Sequence, residues 1–327
     1  MEKVKTKKKR DILPIIVENK AIFIFLILFI IASLMSDKFL GIQNLRNVLR
    51  QISVNCVLGF GFTFVLAAGY IDLSVGLLLS LCGVVAALVS KSGVPFVVAI
   101  LVAILVGIIG GLLNATAITK LSIPSFMATL ALAQGFKGAS YLISNTSTVV
   151  GLPEGFRIIG QEYLFNIPVS VYIFVAIGII CMVILGYTKF GRHVIAVGGN
   201  AEAAKVSGIS TTTTCYGVFI LMGICCAVGS LMLTGRSMAA QPAAGEGMEM
   251  DIIAAVVIGG TSLNGGHGNV IGTIFGCLIM GIINNMLNLA GVNTSWQLVA
   301  KCVIIILAMV IDVLSNYFYQ KRDTKAE

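Results

Sequence analysis

Charged residues are scarce in this chain. Of its 327 residues, 11% are charged and 57% are hydrophobic, whereas about a quarter of the residues of a soluble globular domain are charged. The mean hydropathy is +1.00. This composition excludes a soluble globular protein and predicts an integral membrane protein.

Several motifs of catalytic chemistry are also missing. The sequence has no GxxxxGK[ST] phosphate loop, so the chain does not hydrolyse ATP by that route. It has no HExxH zinc motif, no paired carboxylates inside the apolar runs and no nucleophile elbow. We therefore expect no catalytic residues, and any ATP hydrolysis is expected in a separate subunit.

Metal-ligating patterns are absent as well. The chain has eight cysteines and two histidines, with no CxxC spacing. The cysteines fall inside apolar runs, where a thiol behaves as a small hydrophobic group. We expect neither a metal site nor a bound cofactor.

Positive charge is concentrated at the two ends of the chain, which read "MEKVKTKKKR" and "QKRDTKAE" within a net charge of +8. Basic residues beside a first or last span stay on the cytoplasmic side, so tails 1–19 and 319–327 are predicted to be cytoplasmic and to face anionic membrane lipid. This rule accounts for the charge, and we expect no nucleic-acid partner, because the basic residues do not line a groove with interleaved aromatics.

Apolar runs long enough for a hydrocarbon core of about 30 Å recur along the whole chain. They predict an all-α polytopic membrane protein whose residues 1–327 form a single transmembrane domain, with about ten helices, some of them discontinuous. The count could fall to eight or nine, because one run is short and another carries Gln134 and Lys137. The predicted spans are 20–36, 48–68, 73–90, 95–117, 124–144, 168–187, 214–234, 251–264, 268–290 and 296–318.

Ten spans with cytoplasmic ends fix the sides of the longer polar segments. Segment 188–213 is then predicted to be cytoplasmic, and segments 145–167 and 235–250 are predicted to lie outside. Lys301, five residues after Trp296, is interpreted as a lysine that extends to the membrane interface beneath an interfacial tryptophan.

Two glycine-rich interruptions, "AAGYIDLSVG" (67–76) and "VIGGTSLNGGHG" (257–268), follow alanine- and valine-rich half-spans. An alignment that pairs Gly69 with Gly259 and Gly76 with Gly266 makes them a weak internal repeat. Irregular backbone survives in lipid only where it is buried or lines a wet cavity, and transporters place paired discontinuous helices near the substrate path. The alternative is that both are ordinary turns between helices.

Asp72 stands inside the first interruption, close to Ser74. An acid near the start of an apolar run suits the end of a helix, and the alternative role is that of a proton carrier. In the run "IINNMLNLAG" the amides either join helices or line a cavity. The candidate translocation-path residues are Asp72, Ser74, Asn264, Asn284 and Asn288.

The segment "TKFGRHVIAVGGNAEAAKVSGIS" (188–210) contains a complete helix pattern. Asn200 can begin a short helix, Glu202 and Lys205 suit its first and last turns, and Gly208 can end it. A capped helix with a small-residue surface between two spans predicts a docking feature. The alternative is a solvated connector.

This segment resembles a hallmark of the permease subunits of ribose-type ABC sugar importers, T-x-F-G-R…A-x-G-x-N…A-A…S-G-I. Further matches are "GYIDLSVG", "NATAITKLSIPSFMATLA" and the block that begins "MDIIAAVVIGGTSLNGGHG". Tyr70 and Ala115 depart from glycines in the family pattern. The resemblance implies that 188–213 is a coupling loop for an ATP-binding subunit, and the coupling residues are Gly191, Arg192, Gly198, Asn200, Glu202, Ala203, Ala204 and Gly208.

The resemblance further implies an importer of a monosaccharide or related polyol in the bacterial cytoplasmic membrane. Its partners would be an ATP-binding subunit, a second permease copy or a related permease, and an extracytoplasmic sugar-binding protein. An ion-coupled secondary transporter that acts without an ATPase is the alternative, with Asp72 as its only attractive titratable group. A channel is a third possibility at this point.

Overall fold

The computed structural model describes residues 20–293, 295–304, 306 and 310. Residues 295–304 are helical, and the predicted cytoplasmic tails lie outside the described part of the chain. Residues 20–293 form twelve helices: α1 (Lys20–Met35), α2 (Ile42–Ala67), α3 (Val75–Lys91), α4 (Phe96–Thr119), α5 (Ser125–Ile143), α6 (Glu154–Gly160), α7 (Val169–Tyr187), α8 (Lys189–Gly199), α9 (Ala201–Val206), α10 (Thr211–Ser237), α11 (Met248–Ile258) and α12 (Val270–Leu289).

The helices confirm the prediction of an all-α polytopic membrane protein. Five of them, α2, α4, α7, α10 and α12, are long and apolar enough to cross a membrane, and two shorter apolar helices cover Ala21–Met35 and Val75–Lys91. The short run predicted at 251–264 overlaps only α11, a helix of eleven residues that ends at Ile258, so this helix is too short for a full crossing.

Four two-residue strands lie in the polar connections. β1 (Val149–Val150) pairs antiparallel with β4 (Ala239–Ala240), and β2 (Tyr163–Leu164) pairs with β3 (Ile167–Pro168). The first pair joins the two segments that are predicted to lie outside, 145–167 and 235–250, so these segments share one end of the molecule.

Helix α2 runs from that end towards segment 188–210. Near its start, Arg50 donates a hydrogen bond to the carbonyl of Gln161 and stacks over the ring of Tyr163, 4.5 Å from its centroid. At its other end, Ala67 lies against Gly198. The segments predicted to be outside and inside therefore lie at opposite ends of a helix of 26 residues.

Helices α4 and α10 cross with their backbones in direct contact. A Cβ built on Gly107 would lie 2.1 Å from the carbonyl oxygen of Gly223, and one built on Gly223 would lie 2.0 Å from that of Gly107. One turn along, Gly111 faces the carbonyl of Phe219 in the same way. This is the small-residue packing that holds membrane helices together, where lipid supplies no hydrophobic drive between them.

Polar contacts join the helices near the outer end. Lys301 Nζ lies 2.8 Å from Asp251 Oδ2, and the same oxygen accepts a hydrogen bond from Asn284 at 3.3 Å. Asn44 and Asn285 exchange two amide hydrogen bonds of 3.0 and 2.8 Å. The charge of Lys301 is paired with a carboxylate of α11, which ties this short helix to its neighbours. The interfacial position of Lys301 stays a prediction.

We expect Gly223→Ala to lower the free energy of unfolding by about 1–3 kcal/mol, the usual cost of overpacking a tight site. The new methyl group would overlap a carbonyl oxygen of the facing helix. Thermal unfolding in detergent measures the change. Gly186→Ala on α7 is the control, because nothing lies within 4 Å of its Cβ position. Equal stability of the two variants would contradict the account of this crossing.

Candidate functional site

The first interruption separates α2 from α3. Its glycine, Gly69, has φ +81° and donates its N–H to the carbonyl of Leu66 at 2.8 Å. The next N–H, that of Tyr70, bonds to the carbonyl of Val65 at 3.0 Å. This pair of bonds is the Schellman ending of a helix, and it leaves residues 71–74 without helical partners.

Two hydroxyl groups of α5 supply those partners. The N–H of Ile71 donates to Ser125 Oγ at 3.1 Å, and the N–H of Leu73 donates to Thr129 Oγ1 at 3.0 Å. Residues four apart lie on one face of a helix, so Ser125 and Thr129 can serve successive outward N–H groups of the extended chain. The backbone of the interruption is thus satisfied inside the protein, as burial requires.

Asp72 organises the start of α3. Its Oδ1 accepts from the N–H of Ser74 at 2.8 Å and from Ser74 Oγ at 2.6 Å, and Ser74 Oγ accepts from Asn114 Nδ2 at 2.7 Å. Ser74 is the N-cap residue itself, so the carboxylate lies two residues before the cap position instead of occupying it. All three side chains are at most 1% exposed.

Two oxygen atoms of this cluster accept no hydrogen bond from the described residues. Asp72 Oδ2 and Asn114 Oδ1 are buried and have no hydrogen-bond partner among the described residues. The side chains of the cluster are shielded from solvent, and their hydrogen bonds hold the turn before α3.

The second interruption repeats the first between α11 and α12. Gly260 has φ +92° and donates its N–H to Val257, and Thr261 donates to Val256, at 2.9 and 3.2 Å. The same Schellman bonds therefore end both half-helices, with Gly260 as the counterpart of Gly69. The sequence alignment pairs Gly69 with Gly259 and is wrong by one residue, because the two interruptions contain different numbers of residues.

The two interruptions touch each other. The N–H of Gly266 donates to the carbonyl of Ala67 at 2.9 Å, and the hydroxyls of Thr63 and Thr273 are 2.8 Å apart. Segments about 200 residues apart in sequence are thus joined by a backbone hydrogen bond at the end of α2.

Segment 188–210 lies against this contact. Thr188 caps α8 by accepting from the N–H of Gly191 at 3.1 Å, and Asn200 caps α9 by accepting from the N–H of Ala203 at 2.9 Å. Gly208 ends α9 with φ +81°. The short helix predicted near 200–206 is confirmed, with the predicted residue at its start. Helix α8 was not predicted, although its Thr188 cap is visible in the sequence.

The predicted coupling residues divide into two groups. Gly191 and Ala204 are buried, and Gly198 is half-buried against Ala67. The exposed ones are Arg192, Asn200, Glu202, Ala203 and Gly208. Their common role in coupling stays a prediction.

The candidate path residues are not gathered at one place. Asp72 and Ser74 lie together in the first interruption, and Asn264 is exposed in the second. Asn284 is buried beside Asp251, and Asn288 is exposed and accepts a hydrogen bond from Gln297 at 3.0 Å. The contacts of the last two join helices, and the path assignment stays a prediction for all five.

Sequence reasoning missed several residues that build the site. Ser125, Thr129 and Asn114 all lie in the stretch "NATAITKLSIPSFMATLA", and the four-residue spacing of the two hydroxyl residues was the available signal. Val206, at the end of α9, is 90% exposed; an aliphatic residue beside the helix-ending Gly208 was its only signal.

Neither histidine has acidic or thiol neighbours that would make a metal site. Among the residues that the structure describes, no group of three histidine, cysteine, aspartate or glutamate side chains could hold a metal ion. His193 and His267 are both exposed.

Comparison with known proteins gives the family. The ribose import permease protein of Bacillus subtilis (strain 168) is 43% identical over 314 residues, which cover 95% of this chain and 98% of the relative. The protein of the same name from Escherichia coli (strain K12) is 37% identical over 91% of this chain and 94% of its own.

A third relative, the D-allose transport system permease protein of Escherichia coli (strain K12), is 35% identical over 88% of this chain and 89% of its own length. No solved structure matches the chain. The family model described as "Branched-chain amino acid transport system / permease component" matches residues 44–309. The chain belongs to this family of transport-system permease components.

Proposed function

We propose that this chain is the membrane-spanning subunit of an ATP-driven importer of a monosaccharide or related polyol in the bacterial cytoplasmic membrane. The relatives named for ribose import and D-allose transport support the substrate class. The missing phosphate loop supports ATP hydrolysis in a separate subunit.

The ATP-binding subunit docks on segment 188–213. The observation that carries this proposal is α9, a capped helix of six residues that presents Val206, 90% exposed, beside exposed Glu202 and Lys205. An exposed aliphatic side chain beside charged ones is compatible with the apolar core and polar rim of a protein interface. A solvated connector has no need of such an anchor.

The inward residues of the same segment hold it to the permease. A Cβ on Gly191 would lie 2.1 Å from the carbonyl oxygen of Leu185, and Ala204 is 4% exposed. In this division of roles, Arg192, Glu202, Ala203 and Val206 contact the ATP-binding subunit, and the buried positions fix the angle at which they are presented.

An extracytoplasmic sugar-binding protein meets the opposite end. Segments 145–167 and 235–250 form one surface there through the β1–β4 pair, and Phe165 at the tip of the β2–β3 hairpin is 85% exposed. Two permease copies, identical or related, surround the path. Within each copy, the Asp72 cluster keeps the first interruption in register while the transporter changes state.

We expect Val206→Asp to abolish co-purification of the ATP-binding subunit and ATP-dependent sugar uptake in proteoliposomes. A charge at this position would have to be desolvated in the interface. This penalty adds to the loss of the apolar contact made by Val206. Val206→Leu keeps an apolar side chain and serves as the matched control. Normal complex formation by a well-folded Val206→Asp protein would contradict docking through α9.

The role of Asp72 separates an ATP-driven importer from an ion-coupled carrier. Asp72→Asn should keep most of the uptake, because an amide oxygen can accept both hydrogen bonds from Ser74. Asp72→Leu leaves the buried Ser74 N–H without its acceptor and should lower the free energy of unfolding by about 1–3 kcal/mol, with loss of uptake.

Uptake of radiolabelled sugar into vesicles loaded with ATP, with and without a protonophore, measures the difference. For an ATP-driven importer, transport by Asp72→Asn and by the unmodified protein survives the protonophore. If Asp72 carries a coupling proton, neither variant can accumulate sugar, and the unmodified protein fails under the protonophore. That second pattern would overturn the proposed function.

A further inference from the structure

Gly198, next to last in α8, sits where no side chain fits. A Cβ at this position would lie 1.9 Å from the carbonyl oxygen of Ala67 and 2.6 Å from the backbone nitrogen of Gly266. These two atoms are the partners of the hydrogen bond that joins the two interruptions. The end of α8 therefore lies in direct contact with the two backbone groups of that hydrogen bond.

Glycines of the second interruption lie equally close to the backbone of α8. A Cβ on Gly265 would lie 2.6 Å from the carbonyl oxygen of Gly198, and Gly265 and Gly266 have φ of +81° and +77°. Side chains are disfavoured at both positions on two grounds, the close approach of the backbones and the left-handed conformation. We call Ala67, Gly198, Gly265 and Gly266 the glycine junction.

The rest of α8 is held against the permease along its inner face. Phe190 stacks on Phe64 of α2 with ring centroids 6.2 Å apart, and Val194 and Val197 are buried. Because α8 continues through Asn200 directly into α9, a displacement of α9 reaches the junction through a short and well-packed element.

We propose that the glycine junction is the rigid link through which segment 188–210 moves both interruptions together, and that Gly198, Gly265 and Gly266 are positioning residues for transport. This inference rests on the proposed docking of an ATP-binding subunit on α9. Contacts between side chains can repack by rotamer changes, whereas three backbones in van der Waals contact cannot. A displacement of α8 is therefore passed to the start of α3 and to the start of α12 at once.

The test uses the complete transporter in proteoliposomes, with sugar uptake and ATP hydrolysis measured on the same preparation. Gly198→Ala should lower uptake at least about tenfold, which lies within the usual range of coupling between sites. The ATP-binding subunit should still co-purify and hydrolyse ATP, because the exposed face of α9 is unchanged. Loss of uptake with retained hydrolysis is the uncoupling that a broken link produces.

The neighbouring glycine supplies the matched control. Gly199 also lies in α8, and a Cβ there would meet nothing closer than the Cα of Gly266 at 3.9 Å. Gly199→Ala should transport at the unmodified rate. Unimpaired uptake by Gly198→Ala, or an equal loss of uptake in both variants, would contradict the proposed role of the glycine junction.

Co-purification and the unmodified transporter separate this inference from the proposed function. If Gly198→Ala loses the ATP-binding subunit, the residue acts in docking and the link is refuted. If the unmodified protein shows no ATP-dependent uptake, the proposed function itself fails.

Hydrogen exchange in the unmodified complex tests the link without a variant, and so covers the case in which Gly198→Ala does not fold. The N–H of Gly266 donates to Ala67, so a rigid junction keeps this amide protected both with and without ATP. Peptides that cover 259–270 report the amide by mass spectrometry. Exchange at Gly266 that opens with ATP would show that the junction separates during transport, contrary to the proposal.

Discussion

The structure depends on one constraint, which is that a buried peptide group must find its hydrogen-bond partner within the protein. Two interrupted helices create backbone groups that no helix can satisfy. The solutions are local: Ser125 and Thr129 accept from the first interruption, Asp72 accepts from the start of α3, and Gly266 donates to Ala67. Because Ser125 and Thr129 belong to α5 and Ala67 belongs to α2, the bonds to these residues also bring the two interruptions together with their neighbouring helices.

Close backbone approach is the second condition for this assembly. The hydrogen bond between the interruptions leaves no room for a side chain at Gly198, just as the crossing of α4 and α10 leaves none at Gly107 and Gly223. In water such contacts would add little to hydrophobic burial, but in lipid van der Waals contact is the main attraction between helices. Close backbone contacts at glycine therefore stabilise the crossing of α4 and α10, and they fix the position of α8 against the two interruptions.

The sequence predicted more of the fold than of the site. The apolar runs identify the helices because length and hydropathy are properties of each segment alone, and the α9 helix follows from Asn200 and Gly208 for the same reason. The residues that bond to the first interruption from other helices could not be found in this way. Asn114, which donates to Ser74, and Thr129, which accepts from Leu73, are 40 and 56 residues away from those partners. The pairing of Lys301 with Asp251 was missed for the same reason, because Asp251 lies in another helix.

Matching motif positions do not share one physical role. Gly191, Gly198 and Ala204 face the permease, whereas Arg192 and Ala203 face outward, although all five belong to the family pattern in segment 188–210. A helix that must bind a partner on one side and rest on the permease on the other needs small residues inward and variable chemistry outward. Different constraints therefore act on its two faces. Backbone distances within this chain determine which residues fit on the inner face, and the surface of the partner determines those on the outer face.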